Sequence, residues 1–489
     1  MKIGFDNKKY VKIQSEKIKE RFNLYDKLYL EIGGKLFDDY HASRVLPGFK
    51  SDVKINMFNE IKNDLEIIFC INANDIEKSK IRAEHGITYD IEILRLIDNF
   101  SKLDFSINSV VITLYNNQPS VDIFIKKLKR HNIKTYIHKL INGYPKDIDT
   151  IVSDNGYGAN PYIKTTKKVI LVNAPGPGSG KLAVCLSQLY HEHKNGVNAG
   201  YAKFETFPVW NLDLSHPVNK AYESATADLQ DVNMIDTYHL NEYNVNAVNY
   251  NRDIESFPVL KSILDRITGS SIYKSPTDMG VNMVGNCIIN NEIVENAAKK
   301  EIVRRYFQEM ANYKLDIKEE FVPIKIKKLM EDLNINEDLI EARKFALKKA
   351  KEANTHAIAI NLDGTFITGK ESKLLSAPSA LIINTIKTLS NIPDNINLLS
   401  PTVLEPILDL QKTKEKRPLQ LQEVLIALSV CSVTNPIVKD ALNQLKKLEN
   451  KEVHSSYIIT NGELKALKEL KLLVTCEPNF YSNNLYLEK

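Results

Sequence analysis

Residues 167–190 read KKVILVNAPGPGSGKLAVCLSQLY, and this stretch decides the fold. The apolar, β-branched run 168–173 predicts a strand. Ala174-Pro175-Gly176-Pro177-Gly178-Ser179-Gly180-Lys181 predicts a loop, and a helix follows to about residue 194. Strand, glycine-rich turn and helix in that order form the repeating unit of a parallel α/β sheet. Glycines let backbone N–H groups turn inward and approach an anion closely. The N-terminus of the following helix adds about half a unit of positive charge. Gly176, Gly178, Ser179, Gly180 and Lys181 are therefore candidate anion- or phosphate-binding residues, with Lys181 supplying a full charge. The turn is P-loop-like and departs from GxxxxGK[ST] at two positions. Pro175 stands where a glycine is expected, and Leu182 where Ser or Thr is expected. Without that hydroxyl the usual Mg²⁺ ligand of a P-loop nucleotidase is missing. Magnesium is left open, and ATP hydrolysis by that route is not implied. The alternative is a tight strand–helix turn with no ligand.

Working toward the N-terminus, apolar runs at 27–32, 65–73, 107–115 and 133–140 alternate with helix-like segments near 53–63, 88–101 and 118–131. The runs show little polar alternation, as expected of strands covered on both faces. Ligands in such sheets bind at loops leaving the C-terminal strand ends. One loop is GGKLFDDYHASRVLPGF (33–49), with Lys35 as an anion contact and Asp39 and His41 as catalytic, proton-transfer candidates. A capped loop with paired charges is the competing reading. A second is NANDIEKSKIRAEHGITYD (72–90), with His85 and with Arg82, whose planar fork suits phosphate or carboxylate. A third is SDNGYGANPY (153–162). All three are expected to converge with the glycine turn on one cleft.

Toward the C-terminus the pattern divides the chain into four parts. Residues 1–200 form an α/β anion- or nucleotide-binding domain, 201–291 a polar, loop-rich insertion, 292–354 a helical connector, and 355–489 a C-terminal α/β domain. In the insertion, TGSSIYKSPTDMGVN (268–282) reads as a lid or as an ordinary polar loop. In the last domain HAIAINL (356–362), a turn at Asp363-Gly364 and a second strand precede a helix from about Ser379. A strand at 396–399, helices near 420–432 and 436–448, and a strand at 455–459 complete the expectation.

The chain has 489 residues, 43% hydrophobic and 26% charged, with a formal net charge of +4. That composition supports packed cores and excludes wholesale disorder. Near-neutral charge argues against a nucleic-acid binder. The basic residues Lys412, Lys414, Lys416 and Arg417 lack interleaved aromatics and read as a solvated loop. The five cysteines are scattered and form no CxxC pair, which points to a reducing compartment. The N-terminus has no apolar signal core, and no run of about 18 apolar residues occurs. A cytoplasmic protein with no membrane partner is expected, and a homo-oligomer is left open.

The stretches GGKLFDDYHASRVLPGF, EKSKIRAEHGITYD, APGPGSGKLAVCLSQLYHEH, SPTDMGVN and LDGTFITGKESKLLSAPSALIIN together resemble an uncharacterised bacterial protein family known only as a domain of unknown function. The likeness covers essentially the whole chain. It implies a multidomain α/β protein with a helical middle section and carries no activity across. Residues 357–389 also look like the opening of the cytidine deaminase fold: strand, Asp-Gly turn, strand, helix. Deaminases place Cys or His, then Glu, at that helix start, and P-C-x-x-C at the next. Here those positions read Ala377-Pro378-Ser379 and Ser400-Pro401-Thr402-Val403-Leu404. No catalytic zinc is expected there. The functional expectation is an enzyme acting on a phosphorylated or nucleotide-like small molecule gripped by the glycine turn. The alternative is a non-catalytic nucleotide- or anion-binding regulator with a C-terminal interaction domain, and the sequence does not decide between them.

Overall fold

A computed structural model describes residues 3–82, 86–269, 272–410 and 417–482. His85 and the lysines 412, 414 and 416 lie outside the described residues. The chain forms two compact units, Met1–Glu223 with Gln230–Ala298, and Ser224–Leu229 with Lys299–Lys489.

The first unit is built on a seven-stranded sheet whose pairings are all parallel. Its strands are β1 (Lys27–Ile32), β2 (Leu65–Asn72), β3 (Ser106–Thr113), β4 (Thr135–Ile137), β5 (Val169–Asn173), β6 (Ala199–Phe204) and β7 (Gly280–Val281). They lie side by side in the order β7-β6-β1-β5-β2-β3-β4. β5 is buried along its whole length, as a central strand covered on both faces must be. One face packs Leu28, Leu30, Ile67, Phe69, Leu171 and Phe204 under the helices Val53–Asn59, Tyr89–Lys102 and Pro119–Arg130. The other face packs Tyr29, Cys70, Ile170 and Val172 under the helices Lys181–Lys194 and Asn251–Thr268.

The order places the glycine turn. From β5 the helix Lys181–Lys194 leads to β6, beyond β1. From neighbouring β2 the chain leads the other way, to β3. Adjacent strands whose connections diverge create a crevice at their C-terminal ends, the switch point where open α/β sheets bind ligands. The glycine turn leaves β5 at that crevice.

The second unit holds β8 (Ala357–Leu362), β9 (Thr365–Lys370), β10 (Glu452–Ser455) and β11 (Leu473–Cys476), in the order β9-β8-β10-β11. β8 runs antiparallel to β9 and β10, and β10 and β11 are parallel. Its core gathers Ile358, Ile360, Leu381, Leu428, Val453 and Leu467.

Several expected elements change. Residues 396–399 form no strand. Leu398 and Leu399 are buried in the core, and Ser400 starts the helix Pro401–Asp409. The strand expected at 455–459 lies at Glu452–Ser455, after which the backbone leaves the sheet and the Ile458 N–H donates to Asn479 O. The expected strand 133–140 contracts to Thr135–Ile137. β6 occupies residues read as the start of a loop-rich segment. Among the described residues, no helix is long and apolar enough to cross a membrane.

Candidate functional site

The glycine turn is shaped by left-handed backbone at two glycines. Gly178 has φ +74° in open space. Gly180, the N-cap of the helix Lys181–Lys194, has φ +83°, and a Cβ there would meet the Thr113 side chain at 2.8 Å. Two bonds fix the loop. The Thr113 hydroxyl, ending β3, donates to Ser179 O at 2.9 Å. The Asn72 side-chain amide, ending β2, donates to Gly178 O at 3.2 Å. In a planar trans peptide the carbonyl and the next N–H point opposite ways. Tying down these two carbonyls therefore turns the N–H groups of Ser179 and Gly180 away from β2 and β3. Pro177-Gly178 form a turn that points the Ser179 N–H back at Gly176 O, and among the described residues no acceptor takes the backbone N–H groups of Gly178, Gly180, Lys181 and Leu182. The Ser179 hydroxyl is used internally, donating to Gly176 O at 2.9 Å. Gly176 lies under Tyr89, whose hydroxyl would sit 2.3 Å from a Cβ at that position.

Lys181 reaches toward the end of β1, where its Nζ lies 3.9 Å from Glu31 Oε1. The Tyr201 hydroxyl of β6 donates to Glu31 Oε2 at 2.8 Å. Glu31 is paired in register with Lys203 on β6. Lys203 stands between two carboxylates, Glu205 at 2.6 Å and Asp253 at 2.5 Å. Burial pushes the Glu205 carboxyl up, Lys203 pulls it back, and Asp253 and Glu31 push it up again, to about 7. Sequence reasoning missed Glu205. The signal was present, since KFETF places an acid just past a parallel strand, but the strand was not recognised.

The other candidates are placed as follows. Asp39 caps the helix Tyr40–Val45 by accepting the Ala42 N–H, and it pairs with buried Lys54 at 2.6 Å. Burial raises its carboxyl, but Lys54, Lys35 and the Ala42 N–H outweigh that and hold it below the usual carboxylate range. His41 is buried, edge-on to Phe207 and Tyr222. Lys35 adjoins this pair, its carbonyl accepting Lys54 Nζ at 2.8 Å. Arg82 bonds buried Glu92 at 2.6 Å, and Arg95 shares that carboxylate. Glu92 lies one turn beyond Tyr89 on the helix Tyr89–Lys102.

The segment 153–162 does not join the glycine turn. Asp154 bonds Tyr190 and Lys194, near the far end of the helix that begins at Lys181. At 1.5 Å per residue, Tyr190 lies about 14 Å along that helix. The reason is topological: these residues precede β5 and lie along its helix instead of leaving a strand end. Within 268–282, Ser275 and Asp278 form a capping box, and Gly280–Val281 adds the edge strand β7. A cavity of about 690 Å³ opens at the N-terminal ends of β2 and β3, away from the glycine turn, lined by Glu66, Ser106, Asn108 and Lys164 among others. Its Glu66 already accepts from Asn108 and from the Thr166 and Lys167 N–H groups. Among the described residues, no group of three or more His, Cys, Asp or Glu could hold a metal ion.

Two family models match the sequence: "Domain of unknown function DUF1846, N-terminal" over residues 3–334 and its C-terminal counterpart over 338–486. A protein of Clostridium botulinum (strain ATCC 19397 / Type A), named only UPF0371 protein, is 52% identical over 99% of both chains. A protein of the same name from Clostridium tetani (strain Massachusetts / E88) is also 52% identical over 99% of both chains.

Proposed function

The chain belongs to the DUF1846 family of unknown function, and from that premise we propose that its first unit binds a phosphate-bearing small molecule on the glycine turn and acts on it as an enzyme. One observation carries the reading. The backbone N–H groups of Gly178, Gly180, Lys181 and Leu182 have no acceptor among the described residues, and they sit with the Lys181 side chain at the switch point of a parallel sheet. Such a nest at a helix N-terminus favours an anion through aligned N–H dipoles. Glu31 and Lys181 form a loose pair that an arriving phosphate can separate. Tyr89 borders the same loop. Proton-transfer candidates follow β1 and β6 in the chain, His41 on the helix Tyr40–Val45 and Glu205 just past β6.

For the second unit, the reading is a deaminase-like scaffold without zinc chemistry. Its support is the hairpin of β8 and β9 followed by the helix Ala377–Leu389. Hydroxyls of Ser376 and Ser379 stand at that helix start, 2.9 Å apart, and Ser376 donates to buried Glu463.

The test is calorimetric titration of inorganic phosphate, ADP and ATP into the intact protein, repeated with Lys181→Ala. Loss of a charged hydrogen bond predicts affinity weaker by about tenfold or more. Turnover of a bound compound that disappears in Lys181→Ala supports the enzyme. Binding without turnover of any phosphorylated compound supports the regulator instead. Wild-type protein that binds none of them removes the anion site.

A further inference from the structure

Five charged side chains converge where β1 and β6 end beside the glycine turn. Two are cations, Lys181 and Lys203. Three are carboxylates: Glu31, Glu205 and Asp253. With every carboxylate ionised the group carries one surplus negative charge. An anion settling on residues 178–182 would add to it, and like charges at close range in a partly buried site are costly. Taking up one proton removes the surplus.

The surroundings select which carboxylate takes it. Asp253 lies in the first turn of the helix Asn251–Thr268, where negative charge is favoured. Glu31 accepts the Tyr201 hydroxyl and faces Lys181. Glu205 has Lys203 as its one donor among the described residues, and Lys203 is shared with Asp253. Gly33, after β1, lies so close that a Cβ would meet Glu205 Cγ at 2.6 Å. Tyr222 and Tyr250 are phenols whose ionisation burial pushes up, Tyr222 to about 12. Beyond Tyr222, His41 packs on its ring, and Asp39 is held by Lys54.

Resting on the anion-site reading above, we infer that anion binding at the glycine turn is coupled to uptake of one solvent proton by the Glu205 carboxylate, which makes Glu205 the proton carrier of this site. The carboxylate becomes a carboxylic acid as the anion enters and returns the proton when it leaves. A group that gains and loses a proton near neutral pH beside a bound phosphate compound is placed for general acid–base work. Gly33 fixes its position and Lys203 its orientation.

The probe is sodium sulfate, which stays doubly charged from pH 6 to pH 8 and contributes no titration of its own. Titration calorimetry is run at pH 7 in buffers of different ionisation enthalpy, then at pH 6 and pH 8, on wild type, Glu205→Gln and Lys181→Ala. Wild type takes up a fraction of a proton at pH 7 and binds up to about tenfold more weakly at pH 8 than at pH 6. Glu205→Gln binds with no proton uptake and no pH dependence. Sulfate binding that needs Lys181 but proceeds without proton uptake in wild type overturns the coupling and leaves the anion site standing, and this result does not depend on the variant folding. Proton uptake that persists in Glu205→Gln also overturns the assignment. Absence of sulfate binding together with absence of phosphate binding removes the anion site, and this inference with it.

Discussion

Asp39 shows what a single residue's surroundings decide. GGKLFDDYHASRVLPGF offered a histidine beside two carboxylates, a pattern that suits proton transfer and equally suits a capped loop. The partner that sets Asp39's charge is Lys54, fifteen positions on and buried with it. Nothing local in the sequence names that pairing, because it depends on the helix Val53–Asn59 folding back against the loop. The consequence is a stability prediction. Asp39→Asn preserves the helix cap, since Asn caps as well as Asp. It leaves the Lys54 ammonium buried without its counter-charge, at a cost of about 3–5 kcal/mol. The folded-state pKa of Asp39 is held below its ordinary value, so its contribution is full at neutral pH. It is lost as the pH falls from about 5 through that lowered value. Urea unfolding at pH 7 and pH 4 checks both points. Asp39→Asn should be far less stable at pH 7 and should lack this part of the acid dependence, while Asp39→Asn with Lys54→Met should recover much of the loss. A single variant as stable as wild type would refute the pair's role.

At the scale of elements, the sheet was legible where strands are apolar and buried on both faces. β2, β3 and β5 announced themselves by β-branched runs, β1 by the apolar residues of KLYLEI, and the helix Lys181–Lys194 by the glycine turn before it. β6 did not. Its sequence AGYAKF holds two alanines, a glycine and a lysine, and lacks a β-branched residue. The structure gives the reason for the glycine: a Cβ at Gly200 would lie 2.2 Å from the Tyr25 ring, which covers the strand where it pairs with Leu28 of β1. A close approach has displaced strand propensity. Missing β6 concealed Glu205 as well, so one unread strand removed a carboxylate of the charged cluster around Lys203. Gly200→Val should therefore destabilise the protein by about 1–3 kcal/mol through overpacking, although valine is the better strand former. Denaturant midpoints of wild type, Gly200→Ala and Gly200→Val give the comparison. If Gly200→Val matched or exceeded wild type, propensity and not the Tyr25 contact would govern this strand.

For the whole molecule, the two units have separate cores, one gathered on the parallel sheet and the other on the four-stranded sheet. The family match and the Clostridium relatives span both. Chains with more than one core commonly depart from two-state unfolding, and each transition then reports its own part. An anion seated on residues 178–182 binds the folded first unit and raises that unit's stability by mass action. Residues 178–182 all belong to the first unit. Differential scanning calorimetry with increasing sulfate should therefore resolve two transitions, only one moving upward with the anion. In Lys181→Ala that movement should shrink strongly while the other transition stays in place. A Glu463→Gln change, made at the helix starts of the second unit, should move the transition that sulfate leaves alone. The sign of its pH dependence follows from burial, which raises the Glu463 carboxyl above its ordinary value, so its contribution is largest in mild acid and is lost as pH rises. One cooperative transition that shifts as a whole with sulfate would mean that the units unfold together, and that the anion site reports on the entire chain.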